Sequence, residues 1–454
     1  MNGMIAGIVA YVLVQFLIGM WVSRRIKTQA DFLIAGRSLG LGLVSFSVFA
    51  TFFGAEAIVG TAGSVYEKGL AGGRTDPFGY AVAMIVFGAL FAAPLWQRGL
   101  VTFGDLFRQR YSPAVEKLVV LVLLPGSLFW AAAQVRAFGQ IVSAASGAHL
   151  TFAIMLAAVV VVAYSVLGGL LADAWTDVIQ GIAVIVGLIV LAAAVAGALG
   201  GVGPSLANVP AERLQPLDIE QGGVIGFIEG LAIPICGTIV AVELISRTLG
   251  ARTAAVGARG AIIGGVIYLA VALLPLYLGL VGPQLIDKLD EAEQIVPRLA
   301  EAHLPGLLYV LFAGAVISAV LSTVDTVLLA SAGQVSRNLI EPMRSGLDDA
   351  GRLMQTRMTL VVLAAVALAI AFGATRVKDV VETASAAGSA GVLVVLLFAL
   401  FTNRGGSQAA IATTLVGAAG WLVFRVLLEG EGAYVAALAA SLVTYLAVSA
   451  VTKR

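Results

Sequence analysis

The sequence has few of the residues on which disulfides, metal sites and highly charged interfaces depend. Of its 454 residues, one is cysteine, two are histidine, and 12% are charged. A single cysteine, Cys236, excludes an intrachain disulfide, and two histidines argue against a histidine-based metal site. A formal net charge of +1 argues against nucleic acid or another polyanion as a partner. Neither a Walker loop nor a nucleophile elbow occurs, so an enzyme is not predicted.

Long apolar segments make up most of the chain, with 60% hydrophobic residues and a mean hydropathy of +1.01. A helix that crosses a bilayer needs about 20 apolar residues. Such segments are predicted at 4–23, 39–64, 78–97, 117–146, 150–167, 174–200, 222–246, 258–282, 306–338, 356–374, 380–402, 407–428 and 432–451. The sequence therefore predicts an all-α integral membrane protein with about 13 transmembrane helices, forming one domain over residues 1–454.

Basic residues are distributed unevenly between the two sides of the predicted membrane. The loops on one side hold about 18 and those on the other about 8, and the richer side is expected to be cytoplasmic. Arg247, Arg252 and Arg259 are counted in one of these basic loops. The prediction is a multi-pass protein of a cell membrane, interpreted as a bacterial inner membrane, with the N-terminus outside and the C-terminus cytoplasmic.

Two apolar segments contain polar residues at membrane depth, at 50–56 and 318–325. The lipid core tolerates such residues only where they face protein, water or a bound ion. A helix break near Phe52–Gly54 would free backbone carbonyl groups to bind a cation, as in the discontinuous helices of secondary transporters. Close packing of small residues is the alternative interpretation.

The second polar segment has a helical spacing that suits a cation. Ala319, Ser322 and Thr323 share one helix face, where two hydroxyl groups beside free carbonyl groups would form an oxygen site for a monovalent ion. The alternative is that these hydroxyl groups bond back to their own helix. The role of Asp325, in the same segment, is left open.

Four further charged residues lie within or near apolar segments. Asp173 suits a helix start, whereas Asp177, one turn deeper, suits either a helix start or an ion path. Arg136 needs a counter-charge, which Glu56 or an aspartate would supply, in a structural ion pair or a substrate site. Glu243 is expected near a cytoplasmic helix end, with its carboxylate reaching the surface.

Four aromatic residues from three segments, Phe52, Phe53, Tyr80 and Trp130, would form a cation–π site if they converged. Packing against lipid or neighbouring helices is the alternative.

Several motifs, in the same order along the chain, resemble the sodium:solute symporter family. They are residues 31–40, Gly60-Thr61-Ala62-Gly63 with Tyr66 and Gly69, Leu167-Gly168-Gly169 with Trp175-Thr176-Asp177 and Gln180, and residues 318–325. The resemblance implies a leucine-transporter-like core of two inverted five-helix repeats, at about 39–200 and 222–402, with additional helices at 4–23, 407–428 and 432–451. It also implies a sodium site formed by the carbonyl groups of Ala50, Phe53 and Ala319 and the hydroxyl groups of Ser322 and Thr323. Asp177 would belong to a second cation path.

Within that family, the sequence is most similar to the high-affinity choline transporter branch. Tyr80 and Trp130 match positions of its aromatic box, and Phe52 stands where that branch has tryptophan. Residues 234–239 contain no aromatic residue, and Glu56 replaces a small one. The expected substrate-binding residues are Phe52, Glu56, Tyr80 and Trp130.

The expected function is sodium-coupled import of a small organic solute by alternating access. The solute would be a choline-like or amine cation or an amino-acid-like zwitterion, with sodium as the coupling ion and no other cofactor. A proton-coupled carrier that uses Glu56 or Asp177, and a membrane sensor without flux, remain alternatives. The expected partners are the solute, sodium and the lipid bilayer, not nucleic acid, and the oligomeric state is left open.

Overall fold

The computed structural model describes residues 17–18, 20–22, 24, 26–146, 149–215, 223–344, 346–373, 386, 388–427 and 432–452. Within these ranges the regular structure is helical, and β-pairing is confined to one isolated bridge between Leu39 and Ala251. The predicted all-α class is therefore confirmed for the part of the chain that is described.

Within the described ranges, eighteen α-helices follow one another along the chain. They are α1 (Gln29–Ile34), α2 (Leu41–Phe52), α3 (Thr61–Lys68), α4 (Tyr80–Val86), α5 (Ala92–Gln97), α6 (Gly104–Arg110), α7 (Pro113–Ser146), α8 (Leu150–Ala198), α9 (Val202–Ala207), α10 (Gly223–Ile239), α11 (Val242–Leu249), α12 (Ala254–Val281), α13 (Ile295–His303), α14 (Gly306–Gln334), α15 (Asp349–Gly373), α16 (Ser389–Phe401), α17 (Ser407–Leu427) and α18 (Ala433–Val451).

The helices include many that are long and apolar enough to cross a membrane. The described residues form eight such helices, or nine if the bent pair α10 and α11 counts as one, besides the shorter apolar helices α2 and α16. Large apolar side chains such as Leu307, Leu311 and Val443 are exposed on the outside of the bundle, as lipid contact requires. The predicted number of about 13 spans is not confirmed, since the segment 4–23 lies almost wholly outside the described residues.

Two helices are broken in the middle of the bundle. α2 ends at Phe52, Phe53 has non-helical backbone angles, and the chain resumes as a π-helical turn, Glu56–Gly60, that continues into α3. This is the break that the sequence predicts. The second break separates α10 from α11 with a bend of 43°, and the sequence analysis did not predict it. Paired discontinuous helices are a feature of transporters built from inverted repeats, although the boundaries of the two repeats stay a prediction.

The predicted segments 150–167 and 174–200 are joined in α8, which bends at Gly169. This glycine has a φ of 55°, and a Cβ there would lie 2.8 Å from the carbonyl oxygen of Phe32. Both the backbone angle and the close approach of α1 therefore require glycine.

Small residues allow the central helices to pack closely. α2 contacts α8, α12 and α14. On α12, Gly260 and Gly264 lie against Val44 and Val48 of α2, where a Cβ would come within 3 Å of those side chains. Almost all of α14 from Phe312 to Gln334 is buried. Its polar residues therefore face protein rather than lipid, as the sequence argument requires.

Backbone hydrogen bonds join the start of the first broken helix, before α2, to the end of the second, after α11. The Leu39 N–H donates to the Gly250 carbonyl group, and the Arg252 N–H donates to the Leu39 carbonyl group, both at 3.0 Å. The indole N–H of Trp96 donates to the Ala251 carbonyl group at 2.7 Å. Leu39, two residues before α2, is thus hydrogen-bonded to the residues that follow α11.

Candidate functional site

The break after α2 lies directly against α14 and α7. A Cβ on Gly54 would be 2.7 Å from Thr323 Oγ1 and 2.8 Å from Gln134 Oε1. Gln134 Oε1 accepts a hydrogen bond from the Ala55 N–H at 3.0 Å, so it satisfies one of the backbone donors that the break exposes. Glycine is required here because two other helices approach the backbone, and Gln134 is a contributor that the sequence analysis missed.

The five predicted sodium ligands are located on these two elements. Ala50 and Phe53 lie at the end of α2, and Ala319, Ser322 and Thr323 lie on α14; all five residues are buried. Thr323 Oγ1 donates to the Ala319 carbonyl group at 3.2 Å, the back-bonding that the alternative interpretation describes. A threonine hydroxyl group that donates in this way keeps lone pairs for a cation. The structure thus brings Thr323 to the break, and the ligand roles stay a prediction.

Asp177 connects the same two elements to α8. Its carboxylate accepts hydrogen bonds from Ser322 of α14 and from Ser47 of α2, the latter at 2.5 Å. The side chain is fully buried. The residue predicted for a second cation path therefore shares a hydroxyl group, that of Ser322, with the predicted sodium site.

Arg247 is fully buried beside these residues, which corrects its predicted position in a basic loop. Its guanidinium group pairs with Asp173, lies 3.6 Å from Asp177 Oδ2, and donates to Thr51 at 3.2 Å and to Thr326. The prediction was wrong because the break before α11 directs this helix into the bundle. Glu243 and Arg247, at i and i+4 in an apolar stretch, were the available signal.

Three aspartates surround that single guanidinium group. Asp173 lies in the first turn after the bend at Gly169, where a helix-start acid was expected, and it also pairs with Arg247. Asp325 is buried beside Asp173 and Ser165. With Asp177, this cluster contains more acidic than basic side chains.

The predicted aromatic residues converge in part. The ring centroids of Phe52 and Trp130 are 5.4 Å apart, and those of Phe52 and Tyr80 are 6.0 Å apart. The hydroxyl group of Tyr80 donates to the Glu56 carboxylate at 3.2 Å. The four predicted substrate residues are thus neighbours, whereas Phe53 packs edge-on against Tyr268 instead.

Sequence reasoning missed a second tyrosine–carboxylate pair behind this group. Tyr268 of α12 donates to Asp76 Oδ1 at 2.6 Å, and its ring centroid lies 6.4 Å from that of Tyr80. Both residues are buried. Asp76 precedes the predicted segment 78–97, so no membrane-depth signal identified it.

A cavity of about 60 Å³ lies beside the aromatic residues, and Phe52, Tyr80, Trp130, Thr238, Ser389 and Glu243 contribute to its walls. The prediction that Glu243 reaches the surface was wrong. The break places Glu243 in the first turn of α11, where its side chain is 3% exposed. The indole N–H of Trp130 is buried and has no hydrogen-bond partner. The residues that line the cavity thus include one acidic residue, Glu243, and one with an unpaired N–H donor, Trp130.

Arg136 lies outside this arrangement. It donates from Nη1 to the Ala371 carbonyl group at 3.3 Å, and none of the ion pairs among the described residues includes it. Glu56, one of its predicted counter-charges, instead bonds to Tyr80.

Comparison with known proteins gives matches over most of the chain. A model of the sodium:solute symporter family matches residues 32–417. The high affinity choline transporter 1 of Homo sapiens is 27% identical over 393 residues, covering 82% of this chain and 67% of that protein. The sodium/pantothenate symporter of Haemophilus influenzae is 28% identical over 353 residues, covering 74% and 72%. The chain thus spans about two thirds of the human transporter.

Solved structures show the same fold at low sequence identity. A Na⁺-coupled sialic acid symporter, in a substrate-bound outward-open state, aligns with a TM-score of 0.86 and 13% identity, covering 99% of this chain and 97% of that one. Mhp1, a nucleobase-cation-symport-1 family transporter, aligns with a TM-score of 0.66 and 14% identity, covering 93% and 94%. The leucine-transporter-like architecture is thereby confirmed.

The family match extends over most of the chain, and the relatives are transporters rather than enzymes. Together with the apolar helices, it makes this a multi-pass membrane protein of a group that couples solute transport to sodium. The chain belongs to the sodium:solute symporter family.

Proposed function

We propose that this protein imports a small organic amine or zwitterion together with sodium, by alternating access. The observation that carries the proposal is the position of the break after α2. Phe52, immediately before the break, lines the central cavity, and Gly54, immediately after it, lies against Thr323. One short stretch of chain therefore belongs to both the proposed substrate site and the proposed sodium site.

The proposed sodium site has the ligand chemistry of a hard, weakly held cation. Carbonyl groups of Ala50, Phe53 and Ala319 and the hydroxyl groups of Ser322 and Thr323 supply oxygen ligands. None of the five carries a formal charge, which suits a monovalent ion that must also be released. Asp177, which accepts a hydrogen bond from Ser322, would in its ionised form add negative charge next to the site.

The two sites are coupled because each ligand orders the same backbone. Sodium held between α2 and α14 would fix the conformation of the break, and with it the orientation of Phe52. A substrate that packs on Phe52 would in turn favour the sodium-bound arrangement. Two ligands that stabilise one state bind cooperatively, and the effect is reciprocal.

Asp177 is the proposed second cation position. Asp173, Asp177 and Asp325 lie near one guanidinium group, that of Arg247. If all three carboxyl groups are ionised, the cluster keeps net negative charge after the Arg247 pairing, and a cation that enters from the sodium site would be attracted. The Oδ1 atom of Asp325 is buried without a hydrogen-bond partner.

The proposed function is tested with the full-length protein in liposomes and in detergent. Solute uptake is measured under an inward sodium gradient, with potassium and a pH gradient as the alternatives, over choline, amines, betaine, proline and sugars. Uptake driven by sodium supports the proposal. Uptake driven by the pH gradient alone would indicate a proton-coupled carrier, and sodium-dependent thermal stabilisation without uptake would indicate a sensor.

A further inference from the structure

Glu243 lines the central cavity, in the first turn after the break between α10 and α11. Its side chain is 3% exposed, and the ion pairs among the described residues do not include it. The ionised form of a buried carboxyl group is costly unless an opposite charge accompanies it. A cationic ligand in the cavity would supply that charge to Glu243.

The nearest basic side chain is already engaged. Arg247 lies one turn further along α11 and attracts Glu243 electrostatically. However, its ion pairs within 4.0 Å are formed with Asp173 and Asp177. The Arg247 side chain is fully buried, and it is not one of the residues that line the cavity. Arg247 thus neutralises the aspartate cluster and leaves Glu243 available to the cavity.

The remaining wall is suited to a cation. Among the described residues that line the cavity there is no lysine, arginine or histidine, so the carboxylate of a zwitterion would find no basic partner. Phe52, Tyr80 and Trp130 present aromatic rings, which attract a cation through their faces. The free indole N–H of Trp130 would donate to a hydroxyl oxygen of the same ligand.

The size of the cavity further restricts the ligand. A water molecule needs a cavity of about 10–15 Å³, so a cavity of about 60 Å³ has room for only a few groups of that size. That volume fits a compact hydroxy-amine such as ethanolamine better than a trimethylammonium compound.

We propose that Glu243 is the specificity-determining residue for a compact protonated amine that carries at least one N–H bond. This inference rests on the proposed function and names the substrate class of its central site. The carboxylate would accept hydrogen bonds from the ammonium group, which are stronger than neutral ones. A quaternary ammonium lacks these donors, so its attraction to Glu243 would be purely electrostatic.

The test uses ethanolamine, N-methylethanolamine, N,N-dimethylethanolamine and choline, which differ only in how many N–H bonds are replaced by methyl groups. β-Alanine serves as the zwitterion. Binding to the purified full-length protein in sodium is measured by thermal shift and by competition. We expect the wild type to bind ethanolamine at least about tenfold more tightly than choline, and E243Q to lose that preference together with about tenfold or more of its ethanolamine affinity.

Two variants serve as controls. E243D keeps the charge and is expected to keep the ranking at reduced affinity. E229Q removes another carboxylate, which accepts hydrogen bonds from the Gly432 and Tyr434 N–H groups away from the cavity, and it is expected to keep the ranking even if the protein is less stable. An unchanged ranking in E243Q, a wild type that prefers choline or β-alanine, or a wild type that binds none of the amines would overturn the inference. Sodium-dependent uptake of any solute by the same protein judges the proposed function separately.

Discussion

The individual residues that matter most here are polar groups whose surroundings are other polar groups rather than lipid. Ser322 donates to Asp177, Asp177 lies near Arg247, and Arg247 pairs with Asp173. Each of these side chains is buried, so each depends on the next for its hydrogen bonds or charge balance. The effect of a substitution in this network on stability should therefore depend strongly on which side chain loses its partner.

Replacing Ser322 and Thr323 together by alanine should weaken sodium activation without changing the order of substrate preference. The two hydroxyl groups are proposed sodium ligands and do not line the central cavity. We expect the sodium concentration for half-maximal uptake to rise about tenfold or more, since each lost polar contact to an ion is worth about 1.5–3 kcal/mol. Ser331→Ala, on the same helix and without a hydrogen-bond partner, is the control. Wild-type sodium activation in the double variant would refute the ligand assignment.

Arg247→Gln should destabilise the protein by about 3–5 kcal/mol, because it leaves Asp173 and Asp177 buried without their positive partner. The measurement is the midpoint of thermal unfolding in detergent, with exposed Arg252→Gln as the control. Adding Asp173→Asn to Arg247→Gln should recover part of the loss, since the pair is removed as a unit. Strictly additive losses in the double variant would show that the two side chains are not coupled.

At the level of the helices, the two breaks decide what the sequence could and could not predict. Gly54 beside Glu56 in an apolar segment indicated the first break, and the helical spacing of Ala319, Ser322 and Thr323 indicated its partner. The second break follows Ile239, and the residues before it also occur in continuous membrane helices. The hydropathy of residues 222–246 therefore predicted one uninterrupted helix. Glu243 and Arg247 were misplaced for that reason alone, since their depth was inferred along a straight axis.

Gly54→Ala should impair the first break. The added methyl group would meet Thr323 Oγ1 and Gln134 Oε1 at less than 3 Å, which forces α2 away from α14. We expect a loss of sodium-dependent thermal stabilisation and of most uptake. The matched control is Gly42→Ala in α2, the helix that precedes the break, where a Cβ meets nothing within 4 Å and alanine favours the helix. Equal behaviour of the two variants would mean that the close approach at Gly54 is not required.

At the level of the whole molecule, the family, the all-α class and the leucine-transporter-like fold were predictable, because long apolar segments and ordered motifs survive at low identity. The direction of insertion rests on charge alone. Moving Arg247 from a loop into the core reduces the number of basic residues on the proposed cytoplasmic side from about 18 to about 17, against about 8 on the other, so the predicted orientation is unchanged.

The single cysteine makes this orientation directly measurable. In a Cys236→Ala background, Glu301→Cys, at an exposed position of α13, should react with a membrane-impermeant maleimide in intact cells. Arg344→Cys, exposed beyond α14, should react only after the membrane is permeabilised. Cys236→Ala without a new cysteine is the labelling control. The reverse pattern would place the C-terminus outside.

The short backbone bridge between Leu39 and Ala251 has a mechanical consequence. It fastens the beginning of α2 to the end of α11, and Trp96 is anchored to the same bridge. If sodium binding shifts α2 as proposed, these hydrogen bonds would move α11 with it. Glu243, beside the cavity, and Arg247, among the aspartates, would then move together. The bridge between Leu39 and Ala251 would thus make α2 and α11 move as one unit. Sodium binding at the proposed ion site would then change the position of Glu243, the proposed substrate-binding carboxylate.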